Sequence, residues 1–120
     1  MARIQDPIWG WLRADAEGWR ELHIVGTRSE DPDIRQAEIK RITLGERIYL
    51  HREPSVRRYK NTIAVHSVRG IKVGYVKEKN SVLLAPAMDA GLELEAVSAL
   101  DPTPDAYLVG LWINVREVRR

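Results

Sequence analysis

Hydrophobic and polar residues alternate along five short segments of the chain, a period of two that is typical of β-strands with one buried face. The five segments are 22–27, 47–52, 62–67, 92–100 and 107–118. A further apolar stretch, 72–76, follows the third segment after Arg69-Gly70, a pair that favours a tight turn and an antiparallel hairpin. The pattern therefore predicts five or six strands.

Two other segments place apolar residues at helical spacing. The first begins near Asp33, where Gln36 three positions later resembles a capping box, and ends at Gly45. Its predicted apolar face consists of Ile34, Ala37, Ile39 and Ile42. The second runs from Asn80 as its N-cap to Gly91, and Pro86 is expected to kink or divide it. Its stripe consists of Val82, Leu83, Leu84, Ala87 and Met88. These elements predict an all-β fold with two short helices, a small OB-like or SH3-like β-barrel of five or six strands.

The N-terminal segment contains three of the four tryptophans but neither strand alternation nor a complete helical stripe. Trp9, Trp11 and Trp19 have two interpretations, because indoles either fix an arm on the barrel or stack on bases. Packing is the commoner use of large aromatic rings, so we favour the arm. The 120 residues suit one domain, and we expect an N-terminal arm, 1–20, packed on a barrel domain, 21–120.

Composition narrows the class of protein. Hydrophobic residues make up 44% and charged residues 30% of the chain, as in ordinary globular proteins. No apolar run approaches the roughly 20 residues of a membrane span, and the N-terminus lacks a signal-peptide pattern, so we expect a cytoplasmic protein with no membrane partner. The absence of cysteine excludes disulfides, thiolate catalysis and the common zinc sites.

The charge is small in total but unevenly distributed. The formal net charge is +2, with an isoelectric point near 9.1. Four basic residues, Arg52, Arg57, Arg58 and Lys60, fall within nine positions. Four acidic residues gather in the C-terminal third: Glu93, Glu95, Asp101 and Asp105. The basic run has two interpretations, a nucleic-acid contact or a solvated connection between strands.

Catalytic chemistry has little support in the sequence. His23, His51 and His66 fall on separate predicted strands and lack the close spacing of common metal motifs. Glu93 and Glu95 share a strand face, which a solvated edge explains without acid–base catalysis. The sequence has no nucleophile elbow, P-loop or dinucleotide-binding fingerprint. We therefore expect no enzyme activity, no metal and no cofactor.

The stretch from Leu44 to Gly91 combines several short motifs in order. They read Arg52-Glu53-Pro54 at a strand end, Asn61-Thr62-Ile63-Ala64-Val65, Val73-Gly74-Tyr75, and Leu84-Ala85-Pro86 in a helix. Upstream, Ile24-Val25-Gly26-Thr27-Arg28 forms a strand and its exit. In this order and spacing the chain resembles the HIRAN family over roughly residues 22–100.

The resemblance implies an OB-like barrel that binds DNA. HIRAN domains occur alone in bacteria and phages, and fused to helicases and nucleases in eukaryotic repair factors, and the best understood bind single-stranded DNA ends. Single-stranded DNA is therefore the expected partner, with a role in DNA repair or processing. Arg28 matches a family arginine near the DNA, Tyr75 the Tyr/His position after the strand glycine, and Lys77 the exit toward the helix.

The connection between the second and third strands departs from the family pattern. Val56 stands where the family usually has Asn, and Arg58-Tyr59 where it usually has Tyr/His-Asp. Ser29 stands where an end-binding relative can have a second stacking tyrosine. In such relatives the aromatic stacks on a base and the carboxylate accepts a hydrogen bond from the terminal 3′ hydroxyl. A guanidinium and a phenol in those places favour contact with the phosphate backbone instead.

The predicted nucleic-acid-binding residues are Arg28, Arg52, Arg57, Arg58, Tyr59, Lys60, Asn61, Tyr75 and Lys77. Structural alternatives stay open for three of them: Arg52 pairs with Glu53 or another carboxylate, Asn61 forms a turn, and Tyr75 is half-buried core. A second function also stays open, that of a protein-interaction adaptor docking a larger helicase or nuclease through its barrel edges and tryptophan arm.

Overall fold

Six antiparallel strands close into a barrel in the computed structural model, which describes residues 6–53, 60–99 and 110–118. The strands are β1 (Arg20–Val25), β2 (Arg47–Arg52), β3 (Ile63–Ser67), β4 (Lys72–Val76), β5 (Leu94–Ser98) and β6 (Leu111–Glu117). Their order around the barrel is β1-β4-β3-β2-β5-β6, and β6 pairs with β1 to close it. Two helices, α1 (Pro32–Arg41) and α2 (Glu78–Asp89), complete the fold. The predicted small β-barrel with two helices is confirmed.

The barrel interior is filled by the apolar residues that alternate along the strands. On β1 the side chains of Leu22 and Ile24 face inward, and on β6 those of Leu111, Ile113 and Val115 do so. The other strands contribute Ile48, Ile63, Val65, Val73, Val76 and Ala96 to the same core. Outward positions on these strands therefore remain available for a binding surface.

Strand ends differ from the predicted bounds. The segment 22–27 becomes Arg20–Val25, because Gly26 adopts a positive φ of 73° and turns the chain. The C-terminal strands shorten to Leu94–Ser98 and Leu111–Glu117, while residues 107–109 of the predicted last strand lie outside the described residues. The bounds predicted for β2 and β4 agree with the structure.

Helix α1 buries a largely polar face, and its predicted apolar face is only partly confirmed: Ile39 and Ile42 lie in the core, whereas Ile34 and Ala37 are exposed. Its buried residues are Arg35, Gln36, Glu38 and Ile39. Ile34 is instead 55% exposed. The predicted capping box is also wrong, because Asp31 is the N-cap and the Gln36 amide donates to the Thr27 carbonyl. Burial of Arg35 and Glu38 is tolerated since each forms an ion pair, with Glu30 and Arg69 respectively.

Helix α2 begins earlier than predicted and is not divided. It starts at Glu78 after Lys77 as its N-cap, and it continues past Pro86 to Asp89. Pro86 has no backbone N–H, so α2 lacks one intrahelical hydrogen bond there but keeps its helical backbone to Asp89. Val82 of the predicted stripe is 46% exposed, while Leu84 and Ala85 lie in the barrel core. Among the described residues no helix is long and apolar enough to cross a membrane.

The N-terminal tryptophans have three different environments. Trp9 is buried in the barrel core, and its Nε1 donates to the Glu117 carboxylate at 3.1 Å. Trp19 lies beneath the Arg116 guanidinium, whose carbon is 4.0 Å from the ring centroid. Trp11 is 66% exposed. One of the three indoles therefore contributes to the core that fills the barrel.

Candidate nucleic-acid interface

A groove with a volume of about 630 Å³ opens on the outer side of β1 and β4. The loop after β1, the end of β2, the residue before β3 and the first turns of α2 surround it. It is lined by Val25, Ser29, Glu30, Glu53, Thr62, Tyr75, Val76, Glu78 and Ser81. We call this the Tyr75 groove, because that ring is its aromatic surface.

Lys72 and Tyr75 both face the outside of the barrel because of an irregularity in the β3–β4 pairing. Register places Ala64 opposite Tyr75 but His66 opposite Lys72, with a shift between Val65 and His66. Residues three apart in a regular strand face opposite sides, whereas this bulge turns both Lys72 and Tyr75 outward. The Lys72 ammonium accordingly donates to the Tyr75 hydroxyl at 3.4 Å.

A hydrogen-bond network holds the Tyr75 ring in place. Its hydroxyl donates to one carboxylate oxygen of Glu30 at 3.0 Å, and Arg35 donates to the other at 2.8 Å. Arg35 is itself almost buried, donates to the Gly26 carbonyl at 2.7 Å, and lies over the Tyr75 ring at 5.3 Å. Helix α1 thus fixes the loop after β1, and that loop fixes the ring. The groove is therefore shaped before any ligand enters.

Two glycines allow the backbone and the ring to approach closely. A Cβ on Gly74 would lie 2.6 Å from the Val25 carbonyl oxygen, so only glycine permits the observed pairing of β4 with β1. A Cβ on Gly26 would lie 3.0 Å from the Tyr75 ring. Both glycines serve the packing around Tyr75.

Carboxylates line the groove and exposed cations stand at its rim. The lining includes Glu30, Glu53 and Glu78. Glu53 forms an ion pair with Lys72 at 2.6 Å, which raises the pKa of that lysine against the smaller opposing effect of burial. The predicted site residues Arg28, Lys60 and Lys77 are exposed, and each lies within two positions of a lining residue. None of the three forms an ion pair with another residue in the described ranges.

Arg52 is engaged by the protein itself. Its guanidinium makes two bonds to Asp89 on α2, at 2.9 and 3.1 Å, and donates to the backbone carbonyls of Lys60 and Thr62. The arginine holds the pKa of Asp89 below its ordinary value. It therefore connects the end of α2 to the chain that enters β3. The structural alternative for Arg52, pairing with a carboxylate, is realised with Asp89 and not with Glu53.

The remaining predicted site residues are placed unequally. Asn61 is half-buried next to Thr62 at the groove. Arg57, Arg58 and Tyr59 lie outside the described residues, so their inclusion in the site stays a prediction.

The three histidines separate into a pair and a single residue. His51 and His66 lie on neighbouring strands with ring centroids 4.7 Å apart, whereas His23 packs on Trp112 at 4.5 Å. Nδ1 of His66 is buried, and no residue of the described ranges bonds to it. Over residues 6–53, 60–99 and 110–118, no three His, Asp or Glu side chains converge on a metal position.

Acidification should destabilise the barrel through His66. Burial lowers the pKa of His66 below 6.5, and repulsion from His51 and Lys72 exceeds the attraction of Glu53. The unfolded chain then binds this proton at a higher pH than the folded chain, so the free energy of unfolding falls as pH drops through about 6.5. Urea unfolding of the wild type and His66→Gln between about pH 8 and 5.5 measures this. Equal pH dependence in both proteins would contradict the assignment to His66.

Sequence reasoning did not predict four side chains as part of the groove. They contact Tyr75 or one another: Glu30, Arg35, Glu53 and Lys72. Lys72 and Tyr75 are three positions apart, which predicts opposite faces of a strand, and only the bulge brings them together. Arg35 lies on the buried face of α1 one turn before Ile39, a position where a charged side chain is not expected from the sequence. The available signals were the two motifs that contain Glu53 and Tyr75, Arg52-Glu53-Pro54 and Val73-Gly74-Tyr75.

A second cavity, of about 690 Å³, lies between the N-terminal arm and β6. Its walls carry Asp15, Glu17, Glu95 and Glu117 as well as Arg20 and Arg116. Arg116 pairs with Glu95, and Arg20 donates to the Leu12 carbonyl. The pair with Glu95 connects β6 to β5, while Arg116 also donates to the Glu17 carbonyl at 3.3 Å, so Arg20 and Arg116 connect the arm to β1 and β6.

Comparison with known proteins agrees with this architecture. The crystal structure of the HIRAN domain of human HLTF superimposes with a TM-score of 0.64 at 23% identity, covering 83% of this chain and 74% of that chain. The NMR structure of the HLTF HIRAN domain in its DNA-bound conformation gives 0.59 at 24% identity, with the same coverage. A crystal structure of a protein from Lactobacillus plantarum gives 0.63 at 24% identity, covering 80% of this chain and 91% of that one.

At these identities the solved structures support the fold alone, and the comparison with curated proteins gives no match. The HIRAN domain family matches residues 18–110, which include strands β1 to β5 and both helices and end just before β6. Because that match spans most of the chain and the barrel has the same fold as solved HIRAN domains, this protein belongs to the HIRAN domain family.

Proposed function

We propose that this chain binds single-stranded DNA along the Tyr75 groove and acts in DNA repair or processing through binding rather than catalysis. The observation that carries the proposal is an aromatic ring fixed by Glu30 and Arg35 in an open groove whose rim bears exposed cations. An aromatic platform beside a basic track is the common arrangement for binding single strands. A HIRAN domain of similar fold, that of human HLTF, has been solved in a DNA-bound conformation.

The rim is the part of the groove that suits phosphates. Arg28, Lys60 and Lys77 are exposed at three sides of it, and in the proposal Arg57 and Arg58 add charge from the neighbouring connection. Cations of this kind neutralise the backbone without reading sequence. We infer that they set the path of the strand.

The interior of the groove suits bases. Glu30, Glu53 and Glu78 repel phosphates but accept hydrogen bonds from base amino groups. Tyr75 offers its ring for stacking, and in the proposal Tyr59 offers a second one. The backbone therefore follows the cationic rim while a base turns inward.

Arg52 and Asn61 have supporting roles in this proposal. Within the described residues, the Arg52 guanidinium bonds to Asp89 and to two backbone carbonyls, so Arg52 positions the connection that carries Lys60 rather than neutralising a phosphate. Asn61 is adjacent to Thr62 in the groove wall and is proposed to shape that turn.

We propose further that binding depends little on a free 3′ hydroxyl. Arg58 and Tyr59 replace the aromatic–carboxylate pair of end-binding relatives, which removes an acceptor for that hydroxyl and a charge that repels phosphate. An oligonucleotide with a free 3′ end and one with a blocked 3′ end are therefore expected to bind alike. Strong preference for the free end would contradict this part of the proposal.

A fluorescence titration with a labelled twelve-nucleotide strand tests the proposed function. With about three to five phosphates neutralised, affinity should fall roughly 20- to 130-fold when salt rises fourfold, because each contact adds about 0.7 to the slope of log affinity against log salt. The double variant Arg57→Glu with Arg58→Glu should lose most of the binding at low salt.

The control for that variant reverses two exposed arginines away from the groove, Arg13→Glu with Arg41→Glu. It makes the same change in net charge and is expected to bind within about threefold of the wild type, apart from a general charge effect. No binding by the wild type at low salt would contradict the proposed function. That result would favour the adaptor that docks a helicase or nuclease.

A further inference from the structure

The outward face of β2 and β3 continues the surface of the Tyr75 groove across the barrel. Register places Tyr49 of β2 opposite His66 of β3, and His66 opposite Lys72 of β4. Directly opposed residues on adjacent strands have neighbouring side chains on one face of the sheet. Three outward residues therefore form a row across three strands, and Lys72 joins that row to Tyr75.

The chemistry of this row is aromatic and basic. Tyr49 is 41% exposed, and the Arg47 guanidinium carbon lies 5.7 Å from its ring centroid. His51 packs edge-on against His66 beside them. The acidic side chains nearest in the chain are already paired, Glu46 with Arg69 and Glu53 with Lys72. An exposed ring with an adjacent cation matches what a nucleotide requires from a single-strand site.

We propose that this face is a second nucleotide subsite, in which Tyr49 stacks on a base and Arg47 contacts a phosphate of the strand leaving the Tyr75 groove. The inference rests on the proposed function. Tyr49 on β2 and Tyr75 on β4 are separated by two strand spacings across the sheet and by two residues along the strands, which corresponds to roughly 12 Å. Stacked nucleotides advance about 3.4 Å each, so about four nucleotides connect the two rings.

Oligonucleotide length separates the two subsites. A two-nucleotide thymidine strand is too short to connect the two rings and occupies the Tyr75 groove alone, whereas a twelve-nucleotide strand reaches both rings. Tyr49→Thr should weaken binding of the longer strand at least about fivefold and leave the shorter one unchanged, and Arg47→Gln should act in the same direction. Threonine suits an outward strand position, so the barrel should be retained.

Trp11→Thr is the matched control, because it removes an exposed ring on the N-terminal arm. Length-dependent loss in the Tyr49 and Arg47 variants but not in the control would support the subsite. Unchanged binding of the longer strand by both variants would overturn the subsite while leaving the proposed function intact. Failure of the wild type to bind either strand would overturn both.

Discussion

Gly74→Ala should lower the free energy of unfolding by about 3 kcal/mol or more, the largest single effect on stability that we expect. The added Cβ would lie 2.6 Å from the Val25 carbonyl oxygen and 2.7 Å from Cγ2 of Ile24. The oxygen belongs to the backbone of β1, which pairs with β4 at this point and cannot move aside without opening the barrel. Thermal unfolding should shift down by roughly 10 °C or more.

Whether Gly74→Ala lowers or raises stability distinguishes two reasons for the glycine, the close approach of β4 to β1 and the conformational entropy of the backbone. Gly74 is not among the residues with positive φ, so alanine can adopt its backbone conformation. Alanine would then raise stability by roughly 0.5–1 kcal/mol if conformational entropy decided the outcome. Gly110→Ala is the matched control, because its Cβ would meet only His23 Nε2 at an ordinary 3.5 Å. A melting temperature for Gly74→Ala at or above that of the wild type would refute the close approach.

Hydrophobic alternation predicted the strands because the barrel core is made of apolar side chains at every second position. Leu111, Ile113 and Val115 are the clearest example, since all three are buried as their spacing requires. The closing pair, β1 with β6, joins segments about 90 residues apart, and no local pattern identifies such a partner. The number and order of the elements predicted a small OB-like or SH3-like barrel, and the family resemblance favoured the OB-like type.

The helices show where a pattern of apolar residues stops being informative. Helix α1 packs Arg35 and Glu38 inward because each finds a partner in another element, Glu30 after β1 and Arg69 in the β3–β4 turn. A buried charge is stable only with such a partner, and the partner is invisible until the chain is folded. Ile34, which the pattern placed on the buried face, is exposed to solvent.

The sequence predicted those residues of the candidate site that belong to a short motif, but not the contacts between residues far apart in the chain. Tyr75 was identified from the Val-Gly-Tyr motif, and it lines the groove. The contacts that hold its ring could not be predicted, because Glu30 is 45 positions away and Lys72 reaches it through a bulge. Arg52 illustrates the reverse case: a conspicuous arginine in a basic run makes its bonds to Asp89 and to backbone carbonyls.

The second large effect concerns binding, and it depends on the ring of Tyr75. Tyr75→Ala should weaken binding of single-stranded DNA about 5- to 150-fold, since stacking contributes about 1 to 3 kcal/mol per base. Tyr75→Phe keeps the ring but removes the hydroxyl that donates to Glu30. We expect Tyr75→Phe to bind within a few-fold of the wild type, because Arg35 still holds the loop through the Gly26 carbonyl and Glu30.

Titration of a four-nucleotide strand against wild type, Tyr75→Ala and Tyr75→Phe is the most direct test of the groove as the binding site. Melting temperatures of the three proteins are recorded alongside, so that loss of the fold is not mistaken for loss of binding. Our account predicts that affinity follows the presence of the ring: strong for tyrosine and phenylalanine, weak for alanine. A folded alanine variant that binds as tightly as the wild type would show that DNA does not stack on this residue.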